Sequence, residues 1–350
     1  MRRLAPLVLL LASLAVAAGL LELALRVLPI DVASYHSIAG FTVYDPVLGW
    51  KLAPSRSLVF RGAHFAVRVT HDASGRRDDP VDYARTPGRR RVLVLGDSVV
   101  WCWGVEHDEC FTELVERALG DTDVVNAGVP GYSTAQELLF YRQEGRRYRP
   151  DVVVLVVSPN DADDNVDRRG PRFRLAGERL VYDPAPPPRR KSAAQEWLQE
   201  HSRFFAWLDY AGTVLRRAAR SPVPDDAPAP APVGPTAAAA PAPAGQPTPA
   251  AWTLTEALLD RLRRDVVADG AELVVVLEMM SERLRAWQRG YWTARGVPCL
   301  ELAPALDAAA TRGERVRLEA DPHLAPAGQR VLATALERAL RGLPGFGRIR

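Results

Sequence analysis

A parallel, doubly wound α/β sheet with helices on both faces is the fold class this sequence predicts, and three observations predict it. Short apolar runs rich in β-branched residues recur from Arg91 onward, separated by segments with helical spacing. The runs carry no polar alternation, which suits strands covered on both faces. The first three end in small or polar tips: Gly96-Asp97-Ser98, Asn126-Ala127-Gly128 and Ser158-Pro159-Asn160. Ligands of open α/β sheets bind beyond the carboxyl ends of the strands, so chemistry is expected at these tips.

The 350 residues suffice for one full core plus additions. A net charge of +3 gives no nucleic-acid signature, and nearly all the basic residues are Arg, with Lys51 and Lys191 the only lysines. The first element is the N-terminal apolar run. Arg2 and Arg3 precede residues 4–21, and Glu22 and Arg26 interrupt the apolar pattern that continues to Leu28. A basic flank before an apolar core predicts a signal anchor. Residues 1–29 are read as a transmembrane helix, with membrane contact through residues 4–28. The chain beyond the anchor is then extracytoplasmic, and periplasmic in a Gram-negative cell. Ala15-Val16-Ala17 leaves cleavage open.

Residues 30–88 read as a small β-containing lead-in. Tyr44 to Trp50 places turn residues among large apolar ones, residues 58–70 alternate loosely as one or two strands, and Asp72-Ala73-Ser74-Gly75 turns the chain. Nothing makes His64 or His71 a ligand. Residues 89–167 form the first part of the main domain. They comprise strand 91–96, helix 110–119, strand 124–128, a helix from Ser133 to about Tyr148, and strand 151–157. Ser133 and Thr134 are each followed three residues later by Gln136 and Glu137, the spacing of a capping box. Residues 168–252 interrupt the alternation. They hold a helical stretch over 193–215 and a Pro/Ala-rich linker over 221–250, from which no core can form. Residues 253–342 resume with helix 254–268, strand 272–277, helix 282–295, strand 297–302 and helix 326–340.

Ser98 lies where a nucleophile would sit, although Gly-Asp-Ser alone is a common turn tripeptide. Serine acyl transfer also needs a histidine to carry the proton, an acid to orient it, and donors for the oxyanion. His323 and Asp321 supply the first two. The backbone N–H groups of Ser98 and Gly128 and the Asn160 amide are the candidate donors, with glycine at 128 leaving the substrate room. No metal site is expected, since no Cys-x-x-Cys or matching His spacing occurs. Residues 161–165 have a calcium-loop flavour, but glycine is missing at the sixth position and Arg172 stands at the twelfth. Cys102 and Cys110 are near enough to pair in an oxidising compartment, or all three cysteines stay free; Cys299 reads as packing. Trp101 and Trp103 read equally as pocket wall or core, and His107 as solvated.

The set Gly96-Asp97-Ser98, Asn126-Ala127-Gly128, Asn160-Asp161 and Asp321-Pro322-His323 resembles the four sequence blocks of the SGNH (GDSL-type) hydrolases, in order. The resemblance covers residues 88–167 and 253–342. It implies a flavodoxin-like α/β/α sandwich on a five-stranded parallel sheet and ester or acyl hydrolysis without metal or organic cofactor. It also implies Ser98 as nucleophile, His323 as base, Asp321 as orienter, and Ser98, Gly128 and Asn160 as oxyanion hole. The anchor with Tyr44–Trp50 and Asn160–Asn165 resembles membrane-anchored bacterial members associated with cell-surface polysaccharides, so an acetylated glycan is the expected substrate. An O-acyltransferase on the same site and a non-catalytic glycan-binding or assembly component are the alternatives. Four positions depart from the family pattern. The acid stands two residues before the histidine, with Ala320 at the usual place, and Ala325 replaces a usual Asn. Cys102 replaces a usual Gly, and Cys110 a small polar residue; the double replacement strengthens the expectation of a Cys102–Cys110 disulfide.

Overall fold

The computed structural model describes residues 5–27, 40–62, 64–166, 170–184, 192–205, 207, 208, 211, 212, 250–344 and 346. Residues 221–249 of the expected linker lie outside them. The first element, helix α1 (Ala5–Val27), forms where the apolar run predicts a helix. Its Glu22 pairs with Arg26 at 2.7 Å and accepts from the Ser202 hydroxyl and the N–H groups of Arg203 and Phe204. Among the described residues no helix is long and apolar enough to cross a membrane. The spanning segment expected over residues 4–28 is therefore corrected to a 23-residue helix whose last turns are tied to the insertion.

The lead-in is two antiparallel hairpins, β1 (Thr42–Asp45) with β2 (Gly49–Leu52) and β3 (Ser57–Arg61) with β4 (Ala66–Thr70). Asp45 makes the first turn by accepting the N–H groups of Val47 and Leu48, each at 2.9 Å. The main domain then runs β5 (Arg90–Gly96), α2 (Phe111–Leu119), β6 (Thr122–Gly128), α3 (Thr134–Gln143), β7 (Val152–Val157) and the single turn α4 (Asp161–Asp164). The described part of the insertion holds an unforeseen hairpin, β8 (Arg172–Ala176) with β9 (Arg179–Asp183), and helix α5 (Ala193–His201). The chain closes with α6 (Ala250–Ala268), β10 (Glu272–Leu277), α7 (Glu282–Thr293), β11 (Cys299–Glu301), α8 (Ala303–Thr311) and α9 (Pro326–Arg341). Two of the boundary shifts have a local cause. The helix expected to reach Tyr148 ends at Gln143 and tightens into a 3-10 turn that presses Gly145 against Leu93. The last strand shortens because Leu302 already caps α8, an Ala-rich helix with proline in its first turn.

The sheet has the order β11-β10-β7-β5-β6, parallel throughout. All six residues of β7 are buried, as a central strand covered on both faces requires. Alternation divides the core in two. Val92 and Val94 pack with α2, α8 and α9, whereas Leu93 and Leu95 pack with α3, α6 and α7. Each fully buried Val or Leu contributes roughly 1.5–3 kcal/mol before entropy, so a one-residue slip would forfeit both layers. The chain leaves β5 toward β6 and returns on the other side at β7. This strand-order reversal opens a crevice beyond the carboxyl ends of β5 and β7.

Candidate active site

Ser98 sits at that crevice, two residues past β5. A Cβ on Gly96 would lie 2.4 Å from the Val100 side chain, so glycine lets the chain fold straight back. No regular helix follows Ser98. Trp101 N–H bonds Asp97 O and Trp103 N–H bonds Ser98 O, but Cys102 (φ 59°) and Gly104 (φ 75°) turn the chain left-handed. Arg77 holds this loop. Its buried guanidinium donates to the carbonyls of Trp101 (2.9 Å), Cys102 (2.6 Å) and Val105 (2.5 Å). His71 accepts from Trp101 Nε1 at 3.3 Å and sits 3.1 Å from Ala53 O through Nδ1. Burial pushes its imidazole down to about 4, so it is a neutral spacer. Both residues support the nucleophile loop, and neither carries a sequence signal, because Arg76 and Arg77 are both buried and nothing in the Arg76-Arg77-Asp78-Asp79 run marks which one reaches the loop.

The Ser98 hydroxyl donates to His323 Nε2 at 2.8 Å, and His323 Nδ1 faces Asp321 Oδ1 at 2.6 Å. The two-residue spacing works because Ala320 adopts φ 55°, a left-handed kink that swings Asp321 back beneath the imidazole. Burial pushes the Asp321 carboxyl up, but bonds from the His323 ring and backbone and from Trp103 outweigh it and hold it low. The Trp103 indole N–H donates to Asp321 Oδ2 at 3.1 Å, and its ring stacks on the imidazole, centroids 4.9 Å apart and planes at 14°. Trp101 is core, packed edge-on to Phe41 and Phe60. Arg317 braces the histidine loop by donating to Pro322 O at 2.6 Å and to Glu278 Oε1 at 2.7 Å, at the end of β10.

Gly128 departs from its expected role. Its N–H donates to its own strand's Asn126 Oδ1 at 2.9 Å. A Cβ there would meet the Trp101 nitrogen at 2.3 Å and the Val100 carbonyl carbon at 2.5 Å, so glycine admits the nucleophile loop rather than the substrate. Three residues on, Tyr132 N–H closes a Pro130-Gly131 turn on Val129 O, with Gly131 at φ 76°. Trp50 Nε1 holds Pro130 O at 3.2 Å, which turns the Gly131 N–H the opposite way. Among the described residues nothing accepts the N–H of Ser98 or Gly131. Gly131 is thus a donor that the sequence reading missed, and the Pro-Gly pair was its signal. The Asn160 amide donates to Asp164 Oδ2 at 2.8 Å and also bonds the Asp97 carboxylate.

A buried acidic layer lies behind the crevice. Burial raises the carboxyl of Asp97, against the pull of Val99 N–H and His323. Glu137 has no partner for either carboxylate oxygen among the described residues; burial and the charge of Asp97 push it well up, so it is held neutral. Asp161 accepts Ser158 N–H, and Asn165 links Ala135 N–H to Thr255 Oγ1, so residues 161–165 shape the loop carrying Asn160. Cys102 and Cys110 are buried free thiols rather than the expected disulfide, each directed at a nearby carbonyl, Val100 O and Glu106 O. Burial and the neighbouring Cys102 push Cys110 well up, which keeps it a thiol. Cys299 packs half-buried against the core. His107 is half-buried rather than simply solvated. Its Nε2 lies 3.6 Å from both Asp79 and Glu113, whose ligand atoms with it fall within 4.8 Å, the pattern of an imidazolium between two carboxylates.

The profile of the GDSL-like lipase/acylhydrolase family matches residues 94–331. No curated protein matches the chain. Among solved structures, a lipolytic G-D-S-L family protein from Veillonella parvula DSM 2008 is 11% identical at TM-score 0.41, over 73% of this chain and 100% of its own. The lipase/acylhydrolase from Enterococcus faecalis is 14% identical at TM-score 0.41, over 72% and 96%. A catalytic mutant of Axe2, an acetylxylan esterase from Geobacillus stearothermophilus, is 12% identical at TM-score 0.41, over 71% and 93%.

Proposed function

The chain belongs to the GDSL-like lipase/acylhydrolase family and is an ester-bond hydrolase, and we propose that it cleaves short acyl esters, acetyl groups on a surface glycan foremost, through acyl-Ser98. The hydrogen-bond chain from Ser98 Oγ through His323 to Asp321, 2.8 and 2.6 Å long, carries this reading. Ser98 Oγ attacks the acyl carbon as its proton passes to His323 Nε2. Asp321 holds the Nδ1 proton and stabilises the imidazolium. The N–H groups of Ser98 and Gly131 meet the oxyanion, each donor worth roughly 3–4 kcal/mol, and the Asn160 amide joins them by turning from Asp97 as the charge develops. His323 then returns the proton to the leaving alcohol, and water activated by His323 releases the acid. A short acyl group is supported by the commitments of Trp101 and Trp103, which turn into the core and onto the triad rather than outward as an acyl wall. Transfer to a sugar hydroxyl is the second outcome of the same intermediate, chosen by what reaches acyl-Ser98.

Fluorophosphonate labelling tests the site. The wild type takes the label at Ser98, and Ser98→Ala and His323→Ala lose it with at least about a 10³-fold fall in p-nitrophenyl acetate turnover. A folded wild type without label moves the non-catalytic glycan-binding reading to the front. Turnover that does not fall from acetyl to octanoyl esters refutes the short-acyl assignment, and acylated sugar as the main product with added acceptor favours transfer. The Arg2-Arg3 flank and apolar run support export of the catalytic domain; an alkaline phosphatase fusion that stays inactive in cells refutes it.

A further inference from the structure

We propose that Trp103 is a positioning residue of this site, fixing Asp321 through its indole N–H and covering one face of the His323 imidazole. The proposal rests on the serine-esterase reading above and extends it to a side chain outside the triad. Asp321 Oδ1 is already doubly engaged, by the His323 ring at 2.6 Å and the His323 backbone N–H at 2.9 Å. Trp103 holds the other oxygen, Oδ2, at 3.1 Å. With both oxygens held, the carboxylate cannot rotate away from Nδ1, a freedom that matters here because Asp321 follows the kinked Ala320 in a short loop. The same indole lies nearly parallel to the imidazole, so its π face meets the ring that becomes cationic as Ser98 attacks.

Trp103 is itself fixed. It is almost buried, and Phe60 of β3 stands edge-on to it, centroids 4.6 Å apart and planes at 83°. The backbone places it too, since Trp103 N–H bonds Ser98 O at 3.1 Å. One residue thus touches all three parts of the constellation: the nucleophile through the main chain, the acid through a hydrogen bond, and the base through stacking. The lead-in hairpin acquires a role at the active site through Phe60.

The experiment is a double-mutant cycle on the full chain with p-nitrophenyl acetate, using Trp103→Phe, Asp321→Ala and the pair. Trp103→Phe keeps a ring and removes the N–H. It is expected to lower kcat about tenfold with KM within about twofold, and to cost less than about twofold when Asp321 is already Ala. The low-field proton resonance of His323 Nδ1 should be sharp in the wild type and broaden in Trp103→Phe. Equal losses in both backgrounds, or no loss in either, overturn the assignment. Should Trp103→Phe fail to fold, wild-type protein carrying ¹⁵N-tryptophan decides. One indole N–H resonance must lie downfield, as its bond to Asp321 requires, and move upfield in Asp321→Ala; no such resonance overturns the assignment. A folded wild type with neither turnover nor label at Ser98 overturns the esterase reading and this one together, whereas turnover with additive losses overturns this one alone.

Discussion

Glu278 feels the active site without touching the reacting atoms. It is fully buried at the end of β10, paired through Oε1 to Arg317, with Oε2 unpartnered among the described residues. Burial pushes its carboxyl up to about 7 against the pull of Arg317. An acid raised in the fold binds its proton there while the unfolded chain has lost it. Its contribution to stability is therefore full below about pH 4.5 and is lost as the pH rises through about 7. Glu278→Gln keeps an acceptor for Arg317 and removes the titration. In urea melts the variant should gain on the wild type by roughly 2–3 kcal/mol between pH 5 and pH 8. An offset that stays constant with pH would show that Glu278 does not carry the proton.

At the scale of elements, the end of β6 and the loop after β5 are built as one object. Gly96 and Gly128 are register partners, Val129 N–H bonds Gly96 O at 3.1 Å, and the Asn126 amide donates to Val100 O at 2.8 Å. Backbone meets backbone at Gly128, and no side-chain rotation can relieve an added methyl there. Gly128→Ala should cost about 1–3 kcal/mol in a denaturant melt and depress kcat through displacement of Ser98. If the site is rigid enough to hold Ser98 while the strain goes elsewhere, stability falls and kcat stays, which would refute the coupling of loop and strand.

Across the whole molecule, the lead-in and the main domain are continuous. The core that holds Leu93 and Leu95 of β5 and Val153 and Leu155 of β7 also holds Phe41, Phe60 and Val69 from the lead-in. Tyr132 donates to Trp50 O and Gln136 to Leu48 O, so the first hairpin sits over the turn that bears Gly131. The Pro/Ala stretch is the opposite case. Residues 221–249 lie outside the described residues, and their sequence holds no apolar side chain larger than Val223 and Val233. Deleting residues 221–249 should leave the thermal midpoint within about 2 °C and esterase turnover within about twofold. A chain that no longer folds would show that the stretch packs.

The sequence by itself determined the sheet, because uninterrupted apolar runs and turn residues are local signals. It also placed Ser98, Asp321 and His323, since each stands at an element end beside a tip or cap. It could not assign Gly128 and Gly131, which differ only in where their N–H groups point, and that follows from the Asn126 side chain and the Trp50–Pro130 contact. It could not foresee the inward turn of Arg77 or the clamp of Trp103 on Asp321, whose partners lie 24 to 28 and 218 residues away along the chain. It left Cys102 and Cys110 open between a disulfide and free thiols, and the folded loop sets them side by side as buried thiols. Periodicity and turn chemistry act between neighbours; the direction of a single N–H or guanidinium is decided only when distant segments close on one another.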